Sequence, residues 1–380
     1  METTTTSQQG ISTKNALRFV VLLGIVSLLA DMTYEGARSI NGSFLAILGA
    51  SGAVVGVVSG LGELIGFSIR LVSGYFSDKT KGYWAITFFG YGINLIAVPL
   101  LALTGNWQIA AALMVVERIG KGIRVPPRDA MLSYATQHTG RGWGFGLHEA
   151  LDQIGAILGP LVIAAALYFR NGYQTGYAVL LIPALLALSV LTTARFLYPR
   201  PQDLEFSQTK LQFQGFSRTF WLYVLATALI AAGFADFPLI AYHFQKASVA
   251  NETLIPILYA IAMGVDAIAA LIFGRLFDRL GLTTMMLVAA LSAFFAPLVF
   301  FGDFTLAMLG MALWGVGMGA QESIMRAALA GMIAPEQRGL AYGLFNMVYG
   351  FAWFLGSVLI GVLYDISIPW LVAFSVIAQL

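Results

Sequence analysis

Arg141-Gly-Trp-Gly-Phe-Gly-Leu-His-Glu-Ala-Leu-Asp-Gln-Ile-Gly-Ala-Ile-Leu-Gly-Pro160 decides the fold, because this segment reads as a membrane helix and also as one half of an internal repeat. Segment 338–357 aligns with it without a gap, at an offset of about half the chain. The identical pairs are Arg141/Arg338, Gly142/Gly339, Gly146/Gly343, Leu147/Leu344, Leu158/Leu355 and Gly159/Gly356. The repeat predicts two similar halves. Only the first copy carries ionisable side chains at its centre, namely His148, Glu149 and Asp152.

The composition indicates a chain whose main solvent is lipid. Hydrophobic residues make up 58% of the 380 residues, charged residues only 11%, and the mean hydropathy is +0.80. Uncharged stretches such as 39–62, 83–116 and 282–302 are long enough to cross about 30 Å of hydrocarbon as helices. Strands of a membrane barrel would alternate in polarity instead. The sequence therefore predicts an all-α polytopic membrane protein.

Polar turns divide the chain into about twelve transmembrane helices. We expect them near 16–40, 52–73, 84–103, 107–134, 141–168, 175–195, 219–243, 253–274, 283–301, 304–330, 338–363 and 367–380. They would form two pseudo-symmetric six-helix bundles, 16–198 and 219–380, joined by a cytoplasmic linker over 199–218. Residues 1–15 are expected to be a disordered cytoplasmic tail. The short last span suggests a helix cut by the end of the given chain.

The basic residues predict the orientation, since short cytoplasmic loops retain Lys and Arg. Lys79, Arg195, Arg275 and most other basic loop residues fall on one side, whereas the opposite loops hold little more than Arg170 and Lys246. Both termini are therefore expected in the cytoplasm, in the plasma membrane or, for a bacterium, the inner membrane. The net charge of +2 reflects this bias and gives no reason to expect a nucleic-acid partner.

Charged residues inside the predicted spans are the first functional signal. Asp31, Glu35 and Arg38 are spaced by four and then three residues, which places them on one helix face. Each charge at bilayer depth costs about 2.5–3.5 kcal/mol on insertion scales, so such groups must pair or line a wet cavity. The further candidates are Glu63, Arg118, Lys121, His148, Glu149, Asp152, Asp236, Asp266, Glu322 and Arg326. Any one of them could equally be a structural ion pair.

The fourth span carries a basic stripe. Glu117, Lys121, Arg124 and Arg128 follow one another at helical spacing, if the helix continues through the Pro126-Pro127 pair, where a kink is expected. We expect the lower end of the stripe, Arg124 and Arg128, to anchor the helix at the cytoplasmic surface.

Two loops carry a shared pattern and lead to a family. Gly74, Asp78 and Lys79 recur as Gly274, Asp278 and Arg279, at an offset of 200. The pattern resembles the Gly-x-x-x-Asp-Arg-x-Gly signature of the major facilitator superfamily, which lies between helices two and three and again between eight and nine. The resemblance covers nearly the whole chain. The first copy departs from the signature, because Lys81 occupies the usual glycine position.

The resemblance implies roles for particular residues. The two loops would form a cytoplasmic charge network that holds the halves together and breaks during transport. Arg118 resembles the family's buried arginine of helix four, often linked to proton transfer, although it could be structural. Gly155, Gly159 and Pro160 are similar to the antiporter signature of the family's exporters, with Ile163-Ala164 replacing its final Gly-Gly; ordinary small-residue packing is the alternative. We expect the proline to bend the helix at the interface between the halves.

The remaining candidates concern the ligand and the proton. His148, near Glu149 and Asp152, could belong to a proton relay or be a satisfied core histidine. In the second half an aromatic wall for an apolar ligand could come from Trp314, Tyr349, Trp353 and Phe354, although such residues more often build the core.

These observations predict a secondary-active transporter of a small-molecule substrate, not an enzyme. We favour a proton-coupled antiporter that exports a small organic solute by alternating access, with protons as the coupling ion. The alternatives are a symporter or uniporter importing an anionic metabolite, or an exporter of a metal or metal chelate. The chain has no phosphate-binding loop and no Cys, so we expect no cofactor and no resident metal. The lipid bilayer is its environment, and we expect a monomer.

Overall fold

The structure, a computed structural model, describes residues 13–139, 141–169, 172–199, 216–333 and 338–380. The first half contains α1 (Thr13–Ile47), α2 (Gly52–Thr80), α3 (Tyr83–Leu100) with a 3-10 turn (Leu101–Leu103), α4 (Trp107–Thr139), α5 (Arg141–Phe169), α6 (Tyr173–Val179) and α7 (Leu181–Leu197). The second half contains α8 (Arg218–Gly233), α9 (Phe237–Lys246), α10 (Leu254–Leu280), α11 (Leu282–Ala293), α12 (Phe295–Phe301), α13 (Phe304–Met332), α14 (Arg338–Ile366) and α15 (Ile368–Gln379).

The helices confirm the predicted all-α membrane fold. Within the described ranges, ten helical segments are long and apolar enough to cross a membrane. The charged α4 and the short α15 complete a set of twelve spans, because α6 with α7, α8 with α9 and α11 with α12 each form one interrupted span. The tail 1–15 and the linker 199–218 lie almost wholly outside the described residues, so these predicted boundaries stay predictions.

The repeat found in the sequence is visible in two helices. Helices α5 and α14 are each 29 residues long and occupy the fifth and eleventh places among the spans. Each packs against the first helix of its own bundle, α5 on α1 and α14 on α8. A Cβ at Gly159 would collide with the backbone of Met32, and one at Gly356 with the backbone of Ala232. The shared glycine is therefore kept where each copy meets its first helix.

The seventh span is broken, which the sequence boundaries did not predict. Helix α8 ends at Gly233 and α9 begins at Phe237. Asp236 caps α9 by accepting a hydrogen bond from the backbone N–H of Phe237 at 2.9 Å, and Pro238 stands in the first turn, where a missing N–H costs nothing. The break places the buried carboxylate of Asp236 inside the seventh span.

The two bundles are closed against each other on one side. We call it the sealed side; it is the side where α1 ends and α2 begins. Here a Cβ at Gly42 would overlap the backbone of Pro238, and one at Gly56 would overlap the carbonyl oxygen of Ser357. Glycine permits these backbone contacts because it has no side chain.

Hydrogen bonds between the bundles also lie on the sealed side. Asp365 accepts from the backbone N–H groups of Gly52 at 2.9 Å and Ala53 at 2.8 Å. The Tyr242 hydroxyl donates to the carbonyl of Ala50 at 3.0 Å, and the Ser43 hydroxyl to the carbonyl of Ala241 at 3.0 Å. The exposed ends of α2 and α10 lie on the opposite side, which we call the open side.

The two signature segments, predicted as loops, belong to the last turns of α2 and α10 and lie on the open side. Asp78, Lys79, Asp278 and Arg279 are all exposed. Lys81 ends α2 with φ of 54°, and Gly281 ends α10 with φ of 59°. Both loops thus need the left-handed backbone that favours glycine, and the first copy adopts it with a lysine.

Candidate functional site

A central cavity of about 190 Å³ lies between the bundles at the inner end of the sealed side. Drug-sized ligands usually occupy sites of about 300–1,000 Å³, so this conformation has room for a small solute or water. Helices α1, α2, α4 and α5 of the first bundle and α10, α13 and α14 of the second supply its walls. The first bundle contributes most of the charge.

One face of α1 forms the charged floor of the cavity. Asp31, Glu35 and Arg38 all line it and are 6–7% exposed. The Tyr34 hydroxyl donates to Asp31 at 2.9 Å, while Tyr259 of the second bundle donates to Glu35 at 2.5 Å. Burial among polar partners accounts for the presence of these charges at membrane depth.

Arg38 joins the two bundles. Its Nη2 atom lies 2.6 Å from Asp236 Oδ1 of the second bundle and 3.8 Å from Glu63 Oε1, and its Nη1 atom lies 3.7 Å from Glu35 Oε1. The side chain of Asp236 is only 3% exposed. Among the described residues this is the shortest ion pair between the bundles, and it depends on the helix break that positions Asp236.

The remaining acids of the first bundle meet the basic residues of α4. Arg118 Nη1 lies 3.1 Å from Glu63 Oε1, and Arg118 Nε lies 3.3 Å from Glu117 Oε2. Asn94 of α3 donates to Glu117 at 2.6 Å. The sequence reasoning missed Asn94, although a single amide side chain in an otherwise apolar span could have indicated a buried polar partner. Arg118 is therefore held by two carboxylates.

The sequence suggested that Arg124 anchors the helix at the membrane surface, and the structure contradicts this. Helix α4 continues through Pro126 and Pro127, and the Arg124 side chain is 1% exposed. Its guanidinium lies 4.4 Å from the centre of the Tyr91 ring and 3.8 Å from Asp31 Oδ1. The prediction was wrong because the stripe of α4 faces the bundle interior along its length.

Lys121 is the basic residue of α4 that reaches the cavity. Its ammonium lies 3.9 Å from Glu35 Oε1 and 3.9 Å from the centre of the Tyr34 ring. Both contacts are long, so Lys121 is held more loosely than Arg38 or Arg118.

Helix α5 carries a polar chain that extends from the cavity into the first bundle. Asp152 lines the cavity, and its Oδ2 atom lies 3.5 Å from His148 Nδ1 and 3.9 Å from Arg128 Nη1. His148 is buried, and its Nε2 atom lies 3.0 Å from the Ser27 hydroxyl, which accepts from Arg128 at 2.8 Å. Glu149 is exposed and does not line the cavity, so the structure separates it from its predicted partners.

The second bundle presents two acids and an aromatic surface. Asp266 and Glu322 line the cavity together with Tyr349 and Trp353. Trp314 does not, because it is fully buried in the core, where it donates to the carbonyl of Ala235 at 2.9 Å. The backbone of Phe354 packs near Gly60 of α2. The side chain of Arg326 lies outside the described part of the chain.

The antiporter-like glycines lie within the first bundle. A Cβ at Gly155 would collide with the carbonyl oxygen of Leu28, as one at Gly159 would with α1. The two glycines therefore bring α5 and α1 together backbone to backbone, the close helix packing that such spacing permits. Pro160 follows them in the same continuous helix.

A comparison with known proteins identifies the family. The model of the Major Facilitator Superfamily matches residues 23–302 and, in a second match, residues 219–380. The chain belongs to the major facilitator superfamily. It is accordingly a multi-pass membrane protein and a secondary transporter, which confirms the resemblance seen in its loops.

Relatives within the superfamily extend over most of the chain. An uncharacterised protein of Mycobacterium tuberculosis is 41% identical over 373 residues, which cover 96% of this chain and 91% of that protein. An uncharacterised MFS-type transporter of Methanocaldococcus jannaschii is 27% identical over 361 residues, 92% of this chain and 89% of the other.

Solved structures show the same superfamily fold. The nucleoside transporter NupG superposes with a TM-score of 0.75 at 15% identity, covering 95% of this chain and 97% of its own. An inward-facing bacterial homologue of the human lysosomal transporter Spinster superposes with a TM-score of 0.74 at 13% identity, covering 96% and 92%. At such identities the likeness concerns the fold, and the substrate must be argued from the cavity.

Proposed function

We propose that this superfamily member is a proton-coupled antiporter that exports a small organic solute by alternating access. The observation that carries the proposal is the cavity itself. It lies between the bundles, is closed on one side, and is lined by carboxylates whose ion pairs differ greatly in length. Such a site can exchange a proton for a solute when the two bundles rock about it.

The orientation follows from the distribution of basic residues. With both termini in the cytoplasm, the sealed side faces outward and the open side faces the cytoplasm. The structure then corresponds to an inward-facing state of a monomer in the plasma membrane, or the inner membrane of a bacterium. The Asp78 and Asp278 loops would approach each other when the open side closes, as the family signature implies.

Ion-pair lengths separate structural carboxylates from exchangeable ones. Asp236 and Glu63 have short contacts with Arg38 and Arg118, at 2.6 Å and 3.1 Å. Asp31 has its basic partner at 3.8 Å, and Asp152 at 3.9 Å. A tightly paired carboxylate resists protonation more strongly than a loosely paired one. Asp31 and Asp152 are therefore the better proton carriers among the candidates.

The chain from Asp152 through His148 to Ser27 gives a proton a short path within the first bundle, and Arg128, which stays charged, orients the Ser27 hydroxyl by donating to it. A proton that reaches Asp31 or Asp152 from outside weakens the attraction to Arg124 or Arg128. When the open side faces the cytoplasm, the carboxylates would release this proton there, and the solute entering from the cytoplasm would meet them in ionised form. Arg118 would act indirectly by fixing Glu63 and Glu117.

The test is proton movement into proteoliposomes, followed with an internal fluorescent pH reporter while cationic, neutral and anionic solutes are added. We expect one solute class to move protons in the opposite direction, and Asp31→Asn and Asp152→Asn each to abolish the movement. Glu252→Gln, in the loop before α10, is the matched control and should transport normally. Proton movement in the same direction as the solute would identify the symporter instead. Solute movement without protons would contradict coupling.

A further inference from the structure

Acidic side chains outnumber basic ones in the lining of the cavity. Among the described residues, six carboxylates line the cavity, contributed by Asp31, Glu35, Glu63, Asp152, Asp266 and Glu322, against three basic side chains, Arg38, Arg70 and Lys121. The basic residues behind the wall do not reverse this balance, because Arg118 and Arg124 are engaged with carboxylates of their own bundle. A cavity with an acidic excess attracts cations and repels anions.

Asp266 differs from the acids of the first bundle. It lies in the middle of α10, is 2% exposed, and has no basic side chain within ion-pair distance among the described residues. Gln153 of the first bundle forms a hydrogen bond with this carboxyl group, but the Oδ1 atom has no hydrogen-bond partner among the described residues. A Cβ at Gly319 of α13 would approach that atom to 2.7 Å, so the glycine leaves room for the carboxylate at this wall. A buried carboxylate without a basic partner is costly, and a bound cation would lower the cost.

Other unsatisfied polar atoms surround the same cavity. Within the described part of the chain, Asp152 Oδ1 and Gln153 Oε1 are buried acceptors without a hydrogen-bond partner, as is Asp266 Oδ1. An alkylammonium group offers three N–H donors and no acceptor, which suits a site rich in free acceptors. An anionic group would find the opposite arrangement.

Aromatic and methionine side chains provide the rest of the site. The ring centres of Phe67 and Tyr349 are 6.3 Å apart, and those of Tyr349 and Trp353 are 5.8 Å apart, so the three form a continuous row along one wall. Met263 and Met318 line the cavity beside Asp266. Aromatic faces attract cations and apolar rings alike, and methionine adapts to irregular shapes.

We propose that the solute is an organic amine in its cationic form, whose ammonium group binds at Asp266 and whose apolar body lies against Phe67, Tyr349 and Trp353. This proposal rests on the transport function above and names the solute class of the same cavity. It also explains why one cavity carries acids of two kinds. Those of the first bundle have basic partners, whereas Asp266 is left to the solute.

The test is a binding measurement on the purified chain in detergent at constant neutral pH. The probes are phenethylammonium, phenethyl alcohol and phenylacetate, which share an aromatic body and differ in charge. We expect phenethylammonium to bind at least about tenfold more tightly than either other probe, since one charge contact at a buried site contributes roughly 1.4 kcal/mol or more. Asp266→Asn should remove that advantage, and Glu252→Gln should keep it.

Equal affinities for the three probes, preference for phenylacetate, or no binding of phenethylammonium would overturn the proposal. So would unchanged affinity in an Asp266→Asn protein that elutes as a folded monomer. If that variant fails to fold, Trp353→Leu takes its place, with an expected loss of about fivefold for the ammonium probe. The measurement uses no membrane and no pH gradient. Proton-coupled antiport of a neutral or anionic solute would therefore refute the amine as the solute class and support the antiporter. Amine binding without proton movement would support the amine and contradict proton coupling.

Discussion

Arg38 should couple the stability of the two bundles through its contact with Asp236. At an effective dielectric constant of about 20, Coulomb's law gives about 6 kcal/mol for the 2.6 Å contact with Asp236 and about 4 kcal/mol for each of the longer contacts with Glu35 and Glu63. Most of this attraction offsets the cost of removing the charges from water. Breaking one buried pair nevertheless costs about 3–5 kcal/mol, because the remaining charge is left alone.

We therefore expect Arg38→Gln to lower the free energy of unfolding by about 3–5 kcal/mol. Asp236→Asn keeps the acceptor that caps α9 and should cost less, since Arg38 retains Glu35 and Glu63. The double variant removes both charges and should cost no more than Arg38→Gln alone. The coupling energy of the cycle is then at least as large as the cost of Asp236→Asn alone.

The assay is unfolding in mixed micelles of increasing SDS content, followed by tryptophan fluorescence. Arg195→Gln, at the exposed end of α7, is the matched control and should change stability by less than about 0.5 kcal/mol. Additive effects of the two single variants would refute the reasoning. A cost below about 1 kcal/mol for Arg38→Gln would do so as well, because it would show that water reaches the pair.

Three further predictions concern the sealed side and the first signature loop. The first two use a Ser43→Cys background, which supplies the only cysteine of the chain, and measure its labelling by a membrane-impermeant maleimide. Gly56→Ala should raise this labelling, because the added Cβ collides with Ser357 when the sealed side is closed. The control Gly92→Ala, whose Cβ would lie in open space, should leave labelling unchanged. In the same assay Asp365→Ala should raise labelling by about two- to fivefold, since an exposed carboxylate on two backbone N–H groups contributes roughly 0.5–1 kcal/mol; unchanged labelling would show that these bonds do not hold the side closed. Lys81→Gly should raise the free energy of unfolding by about 0.5–1 kcal/mol by relieving its left-handed backbone, and a loss of stability in SDS titration would contradict that account.

The sequence was sufficient for the fold because membrane helices are specified locally. Polar turns predicted about twelve spans, and ten described helical segments are long and apolar enough to cross a membrane. The segment around Gly159 revealed the repeat that α5 and α14 display at equal length. The break before Phe237 was missed, although Gly233, Asp236 and Pro238 are the residues that produce it. Hydropathy does not register such a break, since both pieces remain apolar.

The sequence predicted which residues belong to the candidate site better than it predicted which partner each residue contacts. Spacing placed Asp31, Glu35 and Arg38 together, since one helix turn fixes that relation. The partner of Arg38 is nearly 200 residues away, and no local rule connects them. Tyr259 was missed for the same reason, because a tyrosine in an apolar span carries no signal until its hydroxyl meets Glu35.

The most direct test of antiport is the direction of solute movement in proteoliposomes when only the pH gradient is reversed. With the solute at equal concentration on both sides, an acidic interior should draw the solute inward as protons leave, and an alkaline interior should drive it out. Asp31→Asn vesicles should show neither movement. Solute movement that keeps its direction when the gradient is reversed, or that follows the protons, would contradict proton-coupled antiport.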